Sequence, residues 1–155
     1  MRIVFGGDPN AAELKRHLLE FAQSLGHDVT DYGSDDPVYA DVAIRAATDV
    51  AAGKFDRGVL VCGTGIGVAI AANKVPGAYA ANIHDVYQAE RAQLSNNANI
   101  VTFGQQVIGP VLAQELLRAY LAVSFDPGSR SGPKVSRISD YETRPAAAQE
   151  PSLAE

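Results

Sequence analysis

Short apolar runs alternate with longer amphipathic stretches along most of the chain. Ile3 to Phe5 is a strand-length apolar run closed by GGDPN. Leu14, Leu18, Leu19, Phe21 and Ala22 then recur at helical spacing and form one apolar face. Asp28 to Tyr32, behind Gly26, reads as a second short strand, and Val38 to Ala52 as an alanine-rich helix ending near Gly53. Val59 to Val61 is a continuous apolar run, as a sheet covered on both faces requires. The pattern continues with a helix entered through GTGIG and running to Lys74, a strand over Ala78 to Ile83 and a helix over Val86 to Leu94. A strand over Ile100 to Phe103 and a long helix from Pro110 to Val123 complete it. Pro110 suits a helix start, where its missing N–H is no loss.

This alternation predicts an α/β fold: a Rossmann-like, doubly wound, five-stranded parallel sheet with helices on both faces, a three-layer α/β/α arrangement in one domain. The domain is expected over 1–142, and 143–155 (TRPAAAQEPSLAE) as a disordered tail. Ligands of such sheets sit at the carboxyl ends of the strands. Four loaded loops are expected at that edge: GGDPN, CGTGIG, IHD after the fourth strand, and SNNAN before the fifth.

Composition narrows the classes. A net charge of −5 speaks against general nucleic-acid binding, which needs a concentrated basic footprint. The chain holds no apolar run of about 18 residues, so no membrane span is expected. MRIVFGGD does not resemble a signal peptide, and a single cysteine excludes an internal disulfide; both fit the cytoplasm. His17, His27 and His84 are not spaced like zinc ligands, so no metal site is expected.

The loops carry the candidate chemistry. GTGIG entering a helix presents backbone N–H groups with no Cβ in the way, a geometry that binds phosphate or a developing oxyanion and also allows close strand–helix packing. Gly63, Gly65 and Gly67 miss the dinucleotide spacing by one residue. Cys62 is a small apolar core residue by default. At a strand's carboxyl end facing a helix start, its thiolate would instead be a base beside an anion hole. Asp8 either caps the turn begun by Pro9 or accepts a substrate hydroxyl. Asn96, Asn97 and Asn99 either satisfy loop backbone or bind hydroxyls, and His84 is either structural or part of a site. Arg130, Lys134 and Arg137 form the one local basic cluster of an acidic chain, which a phosphate partner would explain.

CGTGIGVAIAANK, NNAN followed by FGQQVIG, and FDPGSRSGPKV together resemble the ribose-5-phosphate isomerase B family, which includes the galactose-6-phosphate isomerase subunits. The resemblance runs from about Met1 to Ile138. It implies a homodimer or tetramer that interconverts aldose and ketose phosphates without metal or cofactor, each active site being built by two subunits. By position it implies that Cys62 is the base and that Gly63, Thr64, Gly65, Ile66 and Gly67 form the enediolate-binding loop. Asp8, Pro9, His84, Asn96, Asn99 and Gln106 fall in substrate-binding segments. Arg130 and Lys134, with Arg137 near, fall where the family holds phosphate.

Departures from the family pattern point to the substrate. The histidine that opens the sugar ring is Ser95 here, Asp-His after the first strand is Asp8-Pro9, an arginine after the fifth strand is Gln106, and the second tail arginine is Lys134. A tetrose 4-phosphate has its O4 blocked and closes no five-membered ring, so its isomerase needs no ring opener. HDVYQAERAQLSNNAN and FDPGSRSG resemble the erythritol-catabolism members of the family. The expected reaction is D-erythrulose 4-phosphate to D-erythrose 4-phosphate, with ribose 5-phosphate isomerisation as the rival. A non-catalytic phosphosugar-binding protein and a redox sensor at Cys62 are alternatives of other classes. Thr64, Ser95 and His84 stand as unranked candidates for the shuttle between the two substrate oxygens.

Overall fold

The computed structural model describes residues 1–143. The chain runs through β1 (Arg2–Gly7), a 3-10 turn (Pro9–Ala11), α1 (Ala12–Ser24), β2 (Asp28–Asp31), α2 (Tyr39–Ala51) and β3 (Arg57–Cys62). It continues through α3 (Ile66–Ala72), β4 (Ala80–Asn82), α4 (Val86–Leu94), β5 (Ile100–Gly104), α5 (Pro110–Leu121) and α6 (Gly132–Glu142). The five strands form one parallel sheet in the order β2-β1-β3-β5-β4. No helix among the described residues is long and apolar enough to cross a membrane. The tail expected over 143–155 lies, apart from Thr143, outside the described residues.

Successive strand residues face opposite sides of the sheet, and both sides are apolar. Ile3, Phe5, Val59, Val61, Val101 and Phe103 meet Leu14 and Leu18 of α1, Ala89 of α4 and Leu116 of α5 on one face. Val4, Leu60 and Ile100 meet Ala43, Ala47 and Val50 of α2 and Val68 and Ala72 of α3 on the other. Each large side chain buried here contributes about 1.5–3 kcal/mol. The alanines of α2 and α3 let two helices share one side of a narrow sheet. Because α1 and α2 cover opposite faces, the winding reverses between β1 and β3. The crevice outside their carboxyl ends is where such sheets bind ligands.

Three details differ from the sequence-based expectation. β4 is shorter, because the Ala78 N–H goes to the Val75 carbonyl (3.0 Å) and the Tyr79 N–H to Asn99 Oδ1 (2.8 Å) rather than to a strand ladder. α3 ends at Ala72, and Asn73 pairs with Ala80 in both directions, Nδ2 to its carbonyl at 2.9 Å and Oδ1 from its N–H at 2.8 Å. α6 was not expected. It is anchored at the amino end of β4 by Glu142, which accepts the Gly77 N–H at 2.9 Å and the Tyr79 hydroxyl at 3.1 Å, and by buried Val135.

Candidate active site

At the reversal point the chain leaves β1 at Asp8 and β3 at Cys62. The Asp8 N–H donates to the Val61 carbonyl at 3.2 Å, which fixes Asp8 beside the end of β3. Asp8 stands at the N-terminal cap of the turn, yet its side chain makes no capping bond. It is 7 % exposed and its Oδ1 is buried without a partner. A buried carboxylate oxygen left unpartnered is costly, and capping does not account for it. Pro9 follows, exposed, as the first residue of the turn.

Cys62 is buried on the α2–α3 side of the sheet, and its Sγ accepts the Gly65 N–H at 3.1 Å. Gly65 needs its glycine: its φ is +79°, and a Cβ there would lie 2.7 Å from Asn82 Oδ1 and 2.9 Å from the Phe103 carbonyl carbon. The loop is fastened to the exit of β5. Thr102 Oγ1 donates to the Gly65 carbonyl (2.8 Å), Gln105 N to the Cys62 carbonyl (3.0 Å) and Gln106 N to the Gly63 carbonyl (2.9 Å). Gly104 permits this contact, since a Cβ would sit 2.6 Å from the Thr64 carbonyl. The result is a rigid turn with a thiol at its root and exposed Thr64 and Ile66 at its rim. The Gln106 side chain lies against Gly63 and the Tyr39 ring against Gly67. Tyr39, and Asn82 whose Nδ2 reaches the Thr64 carbonyl at 3.4 Å, are neighbours of the loop that sequence reasoning did not single out. Neither carries a local signal; they arrive from α2 and β4 through the fold. His84 is exposed on the outer strand's exit, with its N–H on Gln88 Oε1 at 2.9 Å.

SNNAN is a correction. It lies at the amino edge of the sheet, not beside Cys62, because a loop that precedes a parallel strand must sit at that strand's start. The Gly58 N–H donates to the Asn99 carbonyl at 2.9 Å. Gly58 lies four residues before Cys62 along β3, about 13 Å away at the rise of a strand. There Ser95 and Asn96 share a cleft of about 330 Å³ with Arg130 and Lys134. Asn99 spends its amide on backbone, Oδ1 from Tyr79 N and Nδ2 to the Gly77 carbonyl at 2.9 Å. Arg137 is exposed on α6 and is not among the residues lining that cleft. The candidate residues thus gather in two places, a glycine turn with a thiol and a carboxylate at one edge and a basic cleft at the other.

Comparison with known proteins identifies this architecture. A profile of the Ribose/Galactose Isomerase family matches residues 3–138. The D-erythrulose-4-phosphate isomerase of Pectobacterium atrosepticum is 46 % identical over 146 residues, covering 92 % of this chain and 95 % of that protein. The Ribose-5-P isomerase B of Listeria innocua is 43 % identical over 147 residues, covering 93 % and 99 %. Among solved structures, the Ribose-5-Phosphate Isomerase B of Clostridium thermocellum superposes with a TM-score of 0.86 at 36 % identity, over 92 % of this chain and 97 % of that one. The chain belongs to the ribose/galactose isomerase family and is a sugar-phosphate isomerase.

Proposed function

We propose that the protein interconverts D-erythrulose 4-phosphate and D-erythrose 4-phosphate, with Cys62 as the base. The observation that carries this is the Gly65 N–H aimed at Cys62 Sγ from 3.1 Å at the root of the glycine turn, with the unpartnered Asp8 Oδ1 just beyond the end of the neighbouring strand. In the ketose-to-aldose direction, the Cys62 thiolate removes a proton from C1, next to the C2 carbonyl. The C–H electron pair moves into a C1–C2 double bond and the carbonyl oxygen becomes an enediolate oxygen, held by the amides of Gly63 to Gly67. The proton returns from sulfur to C2, and the hydroxyl proton passes from O1 to O2. Thr64, at the exposed rim of the turn, is the shuttle we favour. Asp8 accepts a hydroxyl of the substrate. The isomerase domain is 1–142.

The basic cleft of Arg130 and Lys134 binds the phosphate, and it lies at the edge away from Cys62. We therefore take each active site to combine the Cys62 turn of one copy with the Ser95–Lys134 cleft of a second. Exposed Ile66 and Ile70 on α3, 55 % and 58 % accessible, with Tyr39 beside Gly67, offer the apolar surface for such pairing beside the turn. Mixing tests it. Cys62→Ala and Arg130→Ala homodimers should each be inactive, and their hybrid should recover half-site activity. Absence of recovery in a verified hybrid would sink the shared site.

Substrate choice rests on Ser95 standing where the family opens a ring, and on relatives that bear the tetrose name at 46 % identity. The Listeria relative, named for ribose 5-phosphate at 43 %, keeps the pentose as the second reading. Side-by-side kcat/KM values decide. A preference of about a hundredfold for erythrose 4-phosphate, roughly 2.7 kcal/mol of transition-state discrimination, supports the tetrose. A preference for ribose 5-phosphate overturns it.

A further inference from the structure

A second cleft of about 220 Å³ adjoins the first, and Asn96 lines both; its other polar walls are Asn82, Gln88 and Arg91. Arg91 lies on the last turn of α4, one turn before Ser95, and its Nη1 donates to Ser95 Oγ at 3.5 Å. Ser95 in turn lines the cleft of Arg130 and Lys134. The guanidinium is half-buried, its Nε is buried without a partner, and Arg91 has no ion pair among the described residues. Arg2, Arg16 and Arg118 are paired with carboxylates, whereas Arg91, like Arg45, Arg57, Arg130 and Arg137, has no such pair among the described residues, and its guanidinium carbon lies 5.6 Å from the centre of the Tyr87 ring. A cation in a last helical turn is favoured by the helix carbonyls alone, so its position on α4 proves little. A guanidinium with no carboxylate partner and unused donors, lining the smaller cleft and reaching the Ser95 side chain that lines the larger one, is a different matter.

We propose that Arg91 is a further substrate-binding residue, a third cation that donates to phosphate oxygens of a phosphate monoester seated between Asn96, Arg130 and Lys134. Ser95 holds the guanidinium in place by accepting from Nη1. This rests on the reading of that cleft as the phosphate subsite. The planar fork of Arg91 supplies paired donors, which Lys134 as a point charge does not.

Calorimetric titration of the full-length protein with inorganic phosphate tests it on wild type, Arg91→Gln, Arg91→Lys and Arg130→Ala. Arg91→Gln should weaken phosphate by about tenfold to a hundredfold, the usual worth of a charged hydrogen bond, with Arg91→Lys recovering part of the loss. The KM of the turned-over sugar phosphate should rise by a similar factor with kcat nearly unchanged. A purely structural Arg91 would not give Lys rescue of anion affinity. Wild-type affinity in Arg91→Gln, beside a loss in Arg130→Ala, overturns the Arg91 assignment and leaves the cleft standing. No saturable phosphate binding by wild type overturns both.

Discussion

Under the proposed assignment, the two edges of the sheet solve binding in opposite ways. At the carboxyl edge the chemistry is made largely from backbone: amides of a glycine turn sewn to β5 and its exit by three hydrogen bonds, beside one buried thiol and one buried carboxylate. At the amino edge it is made from long side chains on a helix end and a late segment, half open to solvent. Backbone amides are pre-positioned and lose little freedom on binding. Arginines and lysines supply charge and must be ordered by the ligand. The first suits a charge that exists only during reaction, and the second a charge the substrate always carries.

The largest effect should separate the edges outright. Cys62→Ala should lower kcat by about a thousandfold or more while phosphate affinity stays as in wild type; retention of activity within about tenfold would remove Cys62 from the role of base. Gly104→Ala strikes the same edge through packing. The added methyl meets the Thr64 carbonyl at 2.6 Å, whereas at Gly109 it meets nothing within 4 Å. We expect a stability loss of about 1–3 kcal/mol and near-complete loss of turnover for Gly104→Ala, and wild-type melting and rates for Gly109→Ala. Equal behaviour of the two would mean that the turn does not depend on its seam with β5.

Asp8→Asn sharpens the comparison more finely. Its kcat/KM should fall by about tenfold to a hundredfold, as one charged hydrogen bond to substrate is lost, without a drop in melting temperature. Destabilisation instead would mean that Asp8 serves the fold. The smallest effect lies outside both edges. Arg2, through its guanidinium and backbone N–H, lowers the Asp56 carboxyl to about 2. A carboxylate lowered this way adds stability above its unfolded value near about 4, and the contribution is lost as pH falls toward 2. With the pair's side chains 50 % and 37 % exposed, solvent screening keeps it to about 1 kcal/mol or less. Urea midpoints of wild type and Asp56→Asn should differ slightly at pH 7 and converge only as pH falls to about 2, with kcat at pH 7 unaffected.

How far these edges are legible in the chain follows from how they are built. Cys62 and its glycines are contiguous, and their turn can be recognised as a string; the alternating apolar runs likewise lead to the three-layer sheet. SNNAN is visible as a polar loop, but its edge depends on strand direction, which polarity does not carry. Asn99 looks like a ligand and is consumed by Gly77 and Tyr79, a contact between segments about twenty residues apart. α6 hides behind Gly132 and Pro133, residues that mark a loop until the anchorage of Glu142 is seen. Tyr39 and Asn82 meet the glycine turn only after α2, α3 and β4 have packed.

Gly58, which meets the loop before β5, stands about 13 Å from Cys62 along β3, and the separation of the two edges reaches beyond catalysis. If, as proposed, the half-sites lie on different molecules, a bound substrate bridges the copies and becomes part of what holds them together. Linkage then demands that substrate tighten association by the same factor by which association tightens substrate. Such an enzyme is a gauge of its own abundance: on dilution its specific activity fades before its fold does, and saturating sugar phosphate restores it.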